Sequence, residues 1–186
     1  MDIGGGSTEF ILWNKKETIW SRSFDVGVAR MANLFKMSDR FGPNEDEAYN
    51  VMKPYLEDAL QPLNVALENV DPKILVGSSG SFDTFYSITN PEEVECPDDE
   101  HPKATEIDLD SFSQLIGTLM CNTLTDRLAM NGMPPDRADN IPYAAAIVRW
   151  VLENSGIKQM YRSEYALREG VLNRLSRGSS IVAGVD

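Results

Sequence analysis

Asp2-Ile3-Gly4-Gly5-Gly6-Ser7-Thr8-Glu9 stands immediately before Phe10-Ile11-Leu12-Trp13, and Asn14-Lys15-Lys16-Glu17 separates that run from Thr18 to Phe24. Thr8 to Trp13 and Thr18 to Phe24 are rich in Thr, Ile, Phe and Trp, and the polar residues between them signal a hairpin, so two antiparallel strands are expected. The three glycines ahead of them can bring bare backbone N–H groups to one anion at close range. Phosphate is the anion such a turn fits. Ser7 and Thr8 add hydroxyl donors, and Asp2 and Glu9 flank the turn with carboxylates suited to Mg²⁺, directly or through water. Spacing alone leaves the plain alternative open: a glycine-rich turn with two solvated acids.

Further along, Gly42-Pro43 punctuates before Asn44, which is placed to cap a helix with Glu47 three residues on. Met52, Leu56, Ala59, Leu63 and Leu67 continue an apolar face that Pro54 and Pro62 should bend or break. Ile74-Leu75-Val76 then Gly77-Ser78-Ser79-Gly80-Ser81 then Phe82, Phe85 and Tyr86 reads as strand, tight turn and helix, with Ser81 as the cap. That context also offers free N–H groups and a positive helix end to a ligand. Residues 87–107 hold three prolines and much of the acidic charge, and are expected to form a surface loop. Ser111 with Gln114 suggests a capping box for one long helix through Leu128. A further helix is expected from about Asp139 to Asn154, a short strand from Ile157 to Tyr161, a last helix through Leu167, Val171, Leu172 and Leu175, and a flexible tail over 178–186. Strands first and helices interleaved afterwards imply an α/β domain with a mixed sheet and helices packed on it.

The 186 residues make one domain, with 42% hydrophobic and 25% charged residues, so a packed core is expected. Seventeen basic against 29 acidic residues give a formal −12, which argues against a nucleic-acid partner. Nine carboxylates lie between Pro91 and Asp110, so the remaining surface is only mildly negative and an anionic small molecule is not excluded. Cys96 and Cys121 are too few for a disulfide framework, and a reducing cytoplasm is the plain reading. No apolar run approaches the ~18 residues of a membrane span. His101 lies in the acidic stretch, where a solvated loop outweighs a metal site.

Asp2 to Glu9 resembles the second phosphate motif of the actin, Hsp70 and sugar-kinase superfamily, whose fold is of the ribonuclease-H type. Together with Gly77-Ser78-Ser79-Gly80, Arg137-Ala138-Asp139-Asn140-Ile141-Pro142 and Ser163-Glu164-Tyr165-Ala166-Leu167-Arg168-Glu169-Gly170, the chain resembles the exopolyphosphatase and guanosine pentaphosphate phosphohydrolase (Ppx/GppA) family. The resemblance implies the second lobe of a two-lobed, cytoplasmic bacterial phosphohydrolase, with the general base supplied by a first lobe that has no counterpart here. It implies Asp2 as a metal-linked carboxylate, Gly4, Gly5, Gly6 and Ser7 as a phosphate cradle, Glu9 as a carboxylate near metal or water, and Gly77, Ser78 and Gly80 lining the inner cleft. Mg²⁺ is the expected cofactor, with Mn²⁺ as the alternative, and polyphosphate or guanosine pentaphosphate the expected substrate. Arg137, Asp139, Arg168 and Glu169 are read as structural, and Arg30 as a solvated arginine within reach of a phosphate. A lobe taken alone exposes the apolar face its partner lobe covers and could pair with itself as a homodimer. The rival functions are an actin-like or Hsp70-like ATPase lobe and a non-catalytic sensor of polyphosphate or guanosine tetraphosphate.

Overall fold

A computed structural model describes residues 1–36, 44–91 and 104–165. Strands β1 (Asp2–Ile3), β2 (Thr8–Trp13) and β3 (Thr18–Phe24) form an antiparallel meander in that order. Along β2 the side chains alternate as the pleat requires: Thr8, Phe10 and Leu12 are buried, while Ile11 and Trp13 face outward. The Asn14 side chain closes the hairpin by accepting from the amides of Lys16 at 2.8 Å and Glu17 at 3.0 Å.

A second sheet has the order β4 (Ile74–Gly77), β6 (Gln159–Ser163), β5 (Ala104–Ile107), with β4 parallel and β5 antiparallel to β6. The two sheets meet at β1 and β4. The Met1 nitrogen donates to the Val76 carbonyl at 2.9 Å, the Ser78 amide donates to the Met1 carbonyl at 2.9 Å, and Asp2 pairs with Ser78 in parallel. Strand order therefore runs β3-β2-β1-β4-β6-β5, with three parallel strands in the middle, as a ribonuclease-H-like mixed sheet requires. The C-terminal ends of β1, β4 and β6 lie on one side, where open α/β sheets hold their ligands.

Helices α1 (Val28–Phe35), α2 (Glu45–Ala59), α3 (Gln61–Val70), α4 (Gly80–Thr89), α5 (Leu109–Cys121), α6 (Leu124–Leu128) and α7 (Ile141–Glu153) complete the described chain. Asn44 caps α2 by accepting from the Glu47 amide at 2.9 Å. Pro54 stays inside α2, whereas the chain turns at Leu60 and Pro62 opens α3, where its missing N–H costs nothing. Every residue of α7 from Ile141 to Val148 is buried, because α1, α2 and α5 pack around it and Ala144, Ala145 and Ala146 let them approach.

Four local expectations differ from what is found. Residues 87–89 finish α4 and 104–107 form the edge strand β5, so the surface loop is shorter than 87–107 at both ends; 92–103, with Cys96 and His101, lie outside the described residues. Helix α5 is capped by Asp108, whose side chain accepts from the Ser111 amide at 2.8 Å, in place of the Ser111–Gln114 box. The long helix to Leu128 is two helices, because Thr123 and Asp126 make a capping box that starts α6 anew. The last strand is Gln159–Ser163, two residues beyond the expected span. The expected final helix, the flexible tail over 178–186, and Arg168 and Glu169 lie outside the described residues.

Candidate functional site: an open glycine bend at the centre of the sheet

The bend from Gly4 to Ser7 is closed by the Gly4 amide donating to the Ser7 carbonyl at 2.9 Å. Its carbonyls turn inward. Gly4 O accepts from Val28 N at 3.1 Å, and Gly5 O accepts from Ala29 N at 2.9 Å and Arg30 N at 3.1 Å, which satisfies first-turn amides of α1. In a trans peptide the N–H points opposite to the carbonyl of the same unit. With the Gly4 and Gly5 carbonyls turned onto α1, the Gly5 and Gly6 amides therefore face away from it, and both glycines are exposed. A Cβ on Gly6 would meet nothing within 4 Å. The bend is open, and these two amides, without a partner among the described residues, are on the open side.

Gly27, just before α1, holds this arrangement from beneath. It is buried, and a Cβ there would lie 2.5 Å from the Gly5 carbonyl oxygen and 2.6 Å from the Gly6 carbonyl carbon. The Gly5–Gly6 peptide can cross only over a residue without a side chain. Sequence reasoning passed over Gly27 because a lone glycine between a strand and a helix reads as an ordinary connector.

Asp2 and Glu9 are directly opposite in the β1–β2 register, so both carboxylates rise from the same face of neighbouring strands. Glu9 Oε1 accepts from the hydroxyls of Ser7 at 2.7 Å and Ser23 at 2.6 Å, and among the described residues Oε2 has no partner. The Ser7 hydroxyl proton is thus held by Glu9. Thr8 is fully buried and its hydroxyl donates to the Val26 carbonyl, so the expected Thr8 donor to phosphate is replaced by a strand-anchoring bond.

The second glycine turn sits beside the first. Ser79 Oγ donates to the Ile3 carbonyl at 3.4 Å, and Ser79 itself has φ +75°, a conformation a side-chain-bearing residue keeps only under external restraint. Ser79 occupies the cap position of α4 but makes no side-chain capping bond, and Ser81, the expected cap, lies inside the helix. At Gly77 a Cβ would overlap the ring of Phe82, and at Gly80 it would lie 2.6 Å from Cζ of Arg137. Arg137 thus lays its guanidinium over the amino end of α4, a placement beyond the helix-start role expected of it; Asn140 occupies the cap position of α7. Arg137 is fixed there by its own segment: Arg127, fully buried, donates from Nε to the Ala138 carbonyl at 2.7 Å and from Nη1 to the Asn122 carbonyl at 2.7 Å.

Arg162, opposite Gly77 in the β4–β6 register, stacks 4.5 Å over the Tyr86 ring with Nη1 3.7 Å from Asp83 Oδ1. Burial pushes the Asp83 carboxyl above its ordinary range, while Arg162 and Arg137 pull it back and Glu164 adds to the rise. The first turn of α4 is therefore flanked by two arginines: Arg137, which opens the 137–142 string but is not marked there for this placement, and Arg162, which lies in none of the quoted strings. Arg30 is half-exposed and pairs with Asp25 at 3.4 Å.

Two carboxylates in cross-strand register suit Mg²⁺, which uses one or two protein carboxylates and completes its shell with water and phosphate oxygens. Among the described residues no group of three or more His, Cys, Asp or Glu is placed to cage a metal. No helix among them is long and apolar enough to cross a membrane.

The Ppx/GppA phosphatase family profile matches residues 1–177. Exopolyphosphatase 2 of Mycobacterium tuberculosis is 27% identical over 176 residues, covering 92% of this chain and 53% of that protein. The guanosine-5'-triphosphate,3'-diphosphate pyrophosphatase of Aeromonas hydrophila is 25% identical over 179 residues, covering 92% of this chain and 32% of that protein. A crystal structure of an exopolyphosphatase from Cytophaga hutchinsonii superposes with a TM-score of 0.86 at 33% identity, covering 98% of this chain and 58% of that one. The chain thus spans about half the length or less of the curated relatives named here. A strand order built around an open glycine bend and a profile that runs across nearly the whole sequence agree, and the chain belongs to the Ppx/GppA phosphatase family.

Proposed function

We propose that this chain is the phosphate- and metal-binding lobe of a phosphohydrolase that removes the terminal phosphate of inorganic polyphosphate or guanosine pentaphosphate when joined to a first lobe. The observation that carries this reading is the outward pair of Gly5 and Gly6 amides, set next to the Asp2–Glu9 carboxylate pair and pinned beside the 78–80 turn. The two amides bind non-bridging oxygens of the terminal phosphoryl group and stabilise charge that grows as the anhydride P–O bond breaks. Asp2 and Glu9 would hold Mg²⁺, with Mn²⁺ as a substitute, and the ion would neutralise phosphate charge. Arg137, over the open end of α4, neutralises the next phosphate along the chain.

Water attacks the terminal phosphorus in line with the leaving oxygen; the new P–O bond forms, the anhydride bond breaks, and a base from the first lobe takes the proton. Ser7 and Ser23, both bonded to Oε1 of Glu9, fix that carboxylate and leave Oε2 to the site. This division of labour makes the isolated lobe a binder with little turnover. The test is phosphate release by the two-lobed polypeptide from polyphosphate, guanosine pentaphosphate and ATP, with and without Mg²⁺. Metal-dependent release from the first two, lost in Asp2→Asn, is expected. Hydrolysis of ATP alone would favour an ATPase lobe, and binding without turnover a sensor.

A further inference from the structure

Arg162 reaches the first turn of α4 from β6. It stands opposite Gly77 of β4, and its guanidinium stacks 4.5 Å over the Tyr86 ring with Nη1 3.7 Å from Asp83 Oδ1. Nη2 lies 3.3 Å from Glu164 Oε1. The cation is held loosely. A separation of 3.7 Å exceeds a hydrogen bond, so charge alone joins Arg162 to Asp83, and Arg162 Nε is buried with no acceptor among the described residues. A buried donor without an acceptor costs about 1–3 kcal/mol, so packing alone does not account for this arginine. Asp83 is half-exposed, and burial, with the Glu164 charge added, disfavours its ionised form against the pull of Arg162 and Arg137. Its carboxylate is therefore a replaceable partner, and a phosphate of higher charge can take its place on Arg162.

The sheet sets the distances. Neighbouring strands lie ~4.8 Å apart, and β1, β4 and β6 are consecutive, so the glycine bend after β1, the turn after β4 roofed by Arg137, and Arg162 in β6 succeed one another across ~10 Å. A pyrophosphate held at the bend has two phosphorus atoms sharing one bridging oxygen, and it reaches only as far as Arg137. A longer run of phosphates passes Arg137 and meets the next cation. We propose that Arg162 is a specificity-determining residue of this site, the anchor for a third or later phosphate of a linear run, and that it exchanges Asp83 for that phosphate. The proposal rests on the phosphohydrolase reading, which puts the terminal phosphate at the glycine bend. No bond is made or broken at Arg162; it selects by length.

The test is calorimetric titration of the 186-residue chain with the Mg²⁺ complexes of pyrophosphate, tripolyphosphate and guanosine pentaphosphate, comparing wild type, Arg162→Gln and Asp83→Asn. Wild type is expected to bind tripolyphosphate at least about tenfold more tightly than pyrophosphate, a difference of about 1.4 kcal/mol. Arg162→Gln should abolish that preference and leave pyrophosphate affinity unchanged, which a merely loosened fold would not do. Asp83→Asn removes the competing charge at a half-exposed position and should widen the preference. An Arg162 effect shared by guanosine pentaphosphate assigns the anchor to any run of three phosphates, and one confined to tripolyphosphate assigns it to inorganic chains; either supports the proposal. A wild type without the preference, an Arg162→Gln that weakens both inorganic ligands alike, or an Asp83→Asn that fails to widen the preference would overturn the proposal and leave the phosphohydrolase reading standing. Binding of none of the three ligands would overturn both.

Discussion

The guanidinium of Arg137 lies against the α-carbon of Gly80, so the amino end of α4 is roofed by a cation from a distant segment of the chain. Alanine at 80 would have to push that flexible guanidinium aside. Helix propensity favours alanine by about 1 kcal/mol, so Gly80→Ala should leave the melting temperature level or slightly higher. Polyphosphate hydrolysis by the two-lobed polypeptide should nevertheless fall, because Arg137 loses its seat. Arg137→Ala should lower kcat/KM by about 10- to 100-fold, the worth of one charge-assisted hydrogen bond of about 1.5–3 kcal/mol. Unchanged kinetics in both variants would make Arg137 a surface residue only.

Gly6 and Gly27 separate binding from folding. Gly27→Ala would drive a methyl into the backbone of Gly5 and Gly6, which cannot swing away, and should cost about 1–3 kcal/mol together with phosphate binding. Gly6→Ala enters open space at a backbone angle that alanine tolerates, so the fold should survive intact while the methyl stands on the ligand side of the bend. Thermal melts paired with phosphate-release rates distinguish the two. If Gly27→Ala melts like wild type, the bend is more compliant than the packing indicates.

How far the sequence could be followed is clear from these same residues. The hairpin was legible to the residue, since β-branched and aromatic runs flank a polar turn whose Asn14 supplies its own closing bonds. The glycine bend after Asp2 and the 77–81 turn were legible as turns because local spacing is what a turn consists of; the phosphate role is proposed for them. Gly27 and the placement of Arg137 were not, because each acts by meeting a residue remote in sequence or backbone that no periodicity announces. The capping of α5 by Asp108 was missed for a different reason: Asp108 and Ser111 are both good caps three residues apart, and tertiary placement chose between them.

Arg127 is a structural counterpart to Arg137. Its buried guanidinium satisfies the Ala138, Asn122 and Leu119 carbonyls, joining the end of α5 to the segment that carries Arg137. Arg127→Met keeps the volume but leaves those carbonyls without their donor. A loss of about 2–4 kcal/mol in chemical denaturation is expected, with faster amide exchange over 134–140. A loss below about 0.5 kcal/mol would show that water takes over these bonds.

The acid sensitivity of the fold should trace in part to Glu153. Burial alone would raise its pKa, but hydrogen bonds from Arg149 Nε at 2.8 Å and Tyr49 OH at 3.0 Å outweigh burial and hold the carboxyl below its ordinary range. The folded value being the lower one, the stabilisation is present above the unfolded pKa and disappears as pH falls through the folded value. Glu153→Gln should therefore melt below wild type near neutrality, with the gap closing between about pH 5 and about pH 3. A gap that stays constant over that range would assign the effect to packing.

Calorimetric titration of the chain with pyrophosphate, with and without Mg²⁺, reaches the central claim without needing a first lobe. Wild type should bind magnesium pyrophosphate, lose that binding when the metal is removed, and weaken at least about tenfold in both Asp2→Asn and Gly6→Ala while the fold stays intact. Binding that is indifferent to Mg²⁺ and equally tight in both variants would show that neither the Asp2 carboxylate nor the outward amides of the glycine bend hold the phosphate.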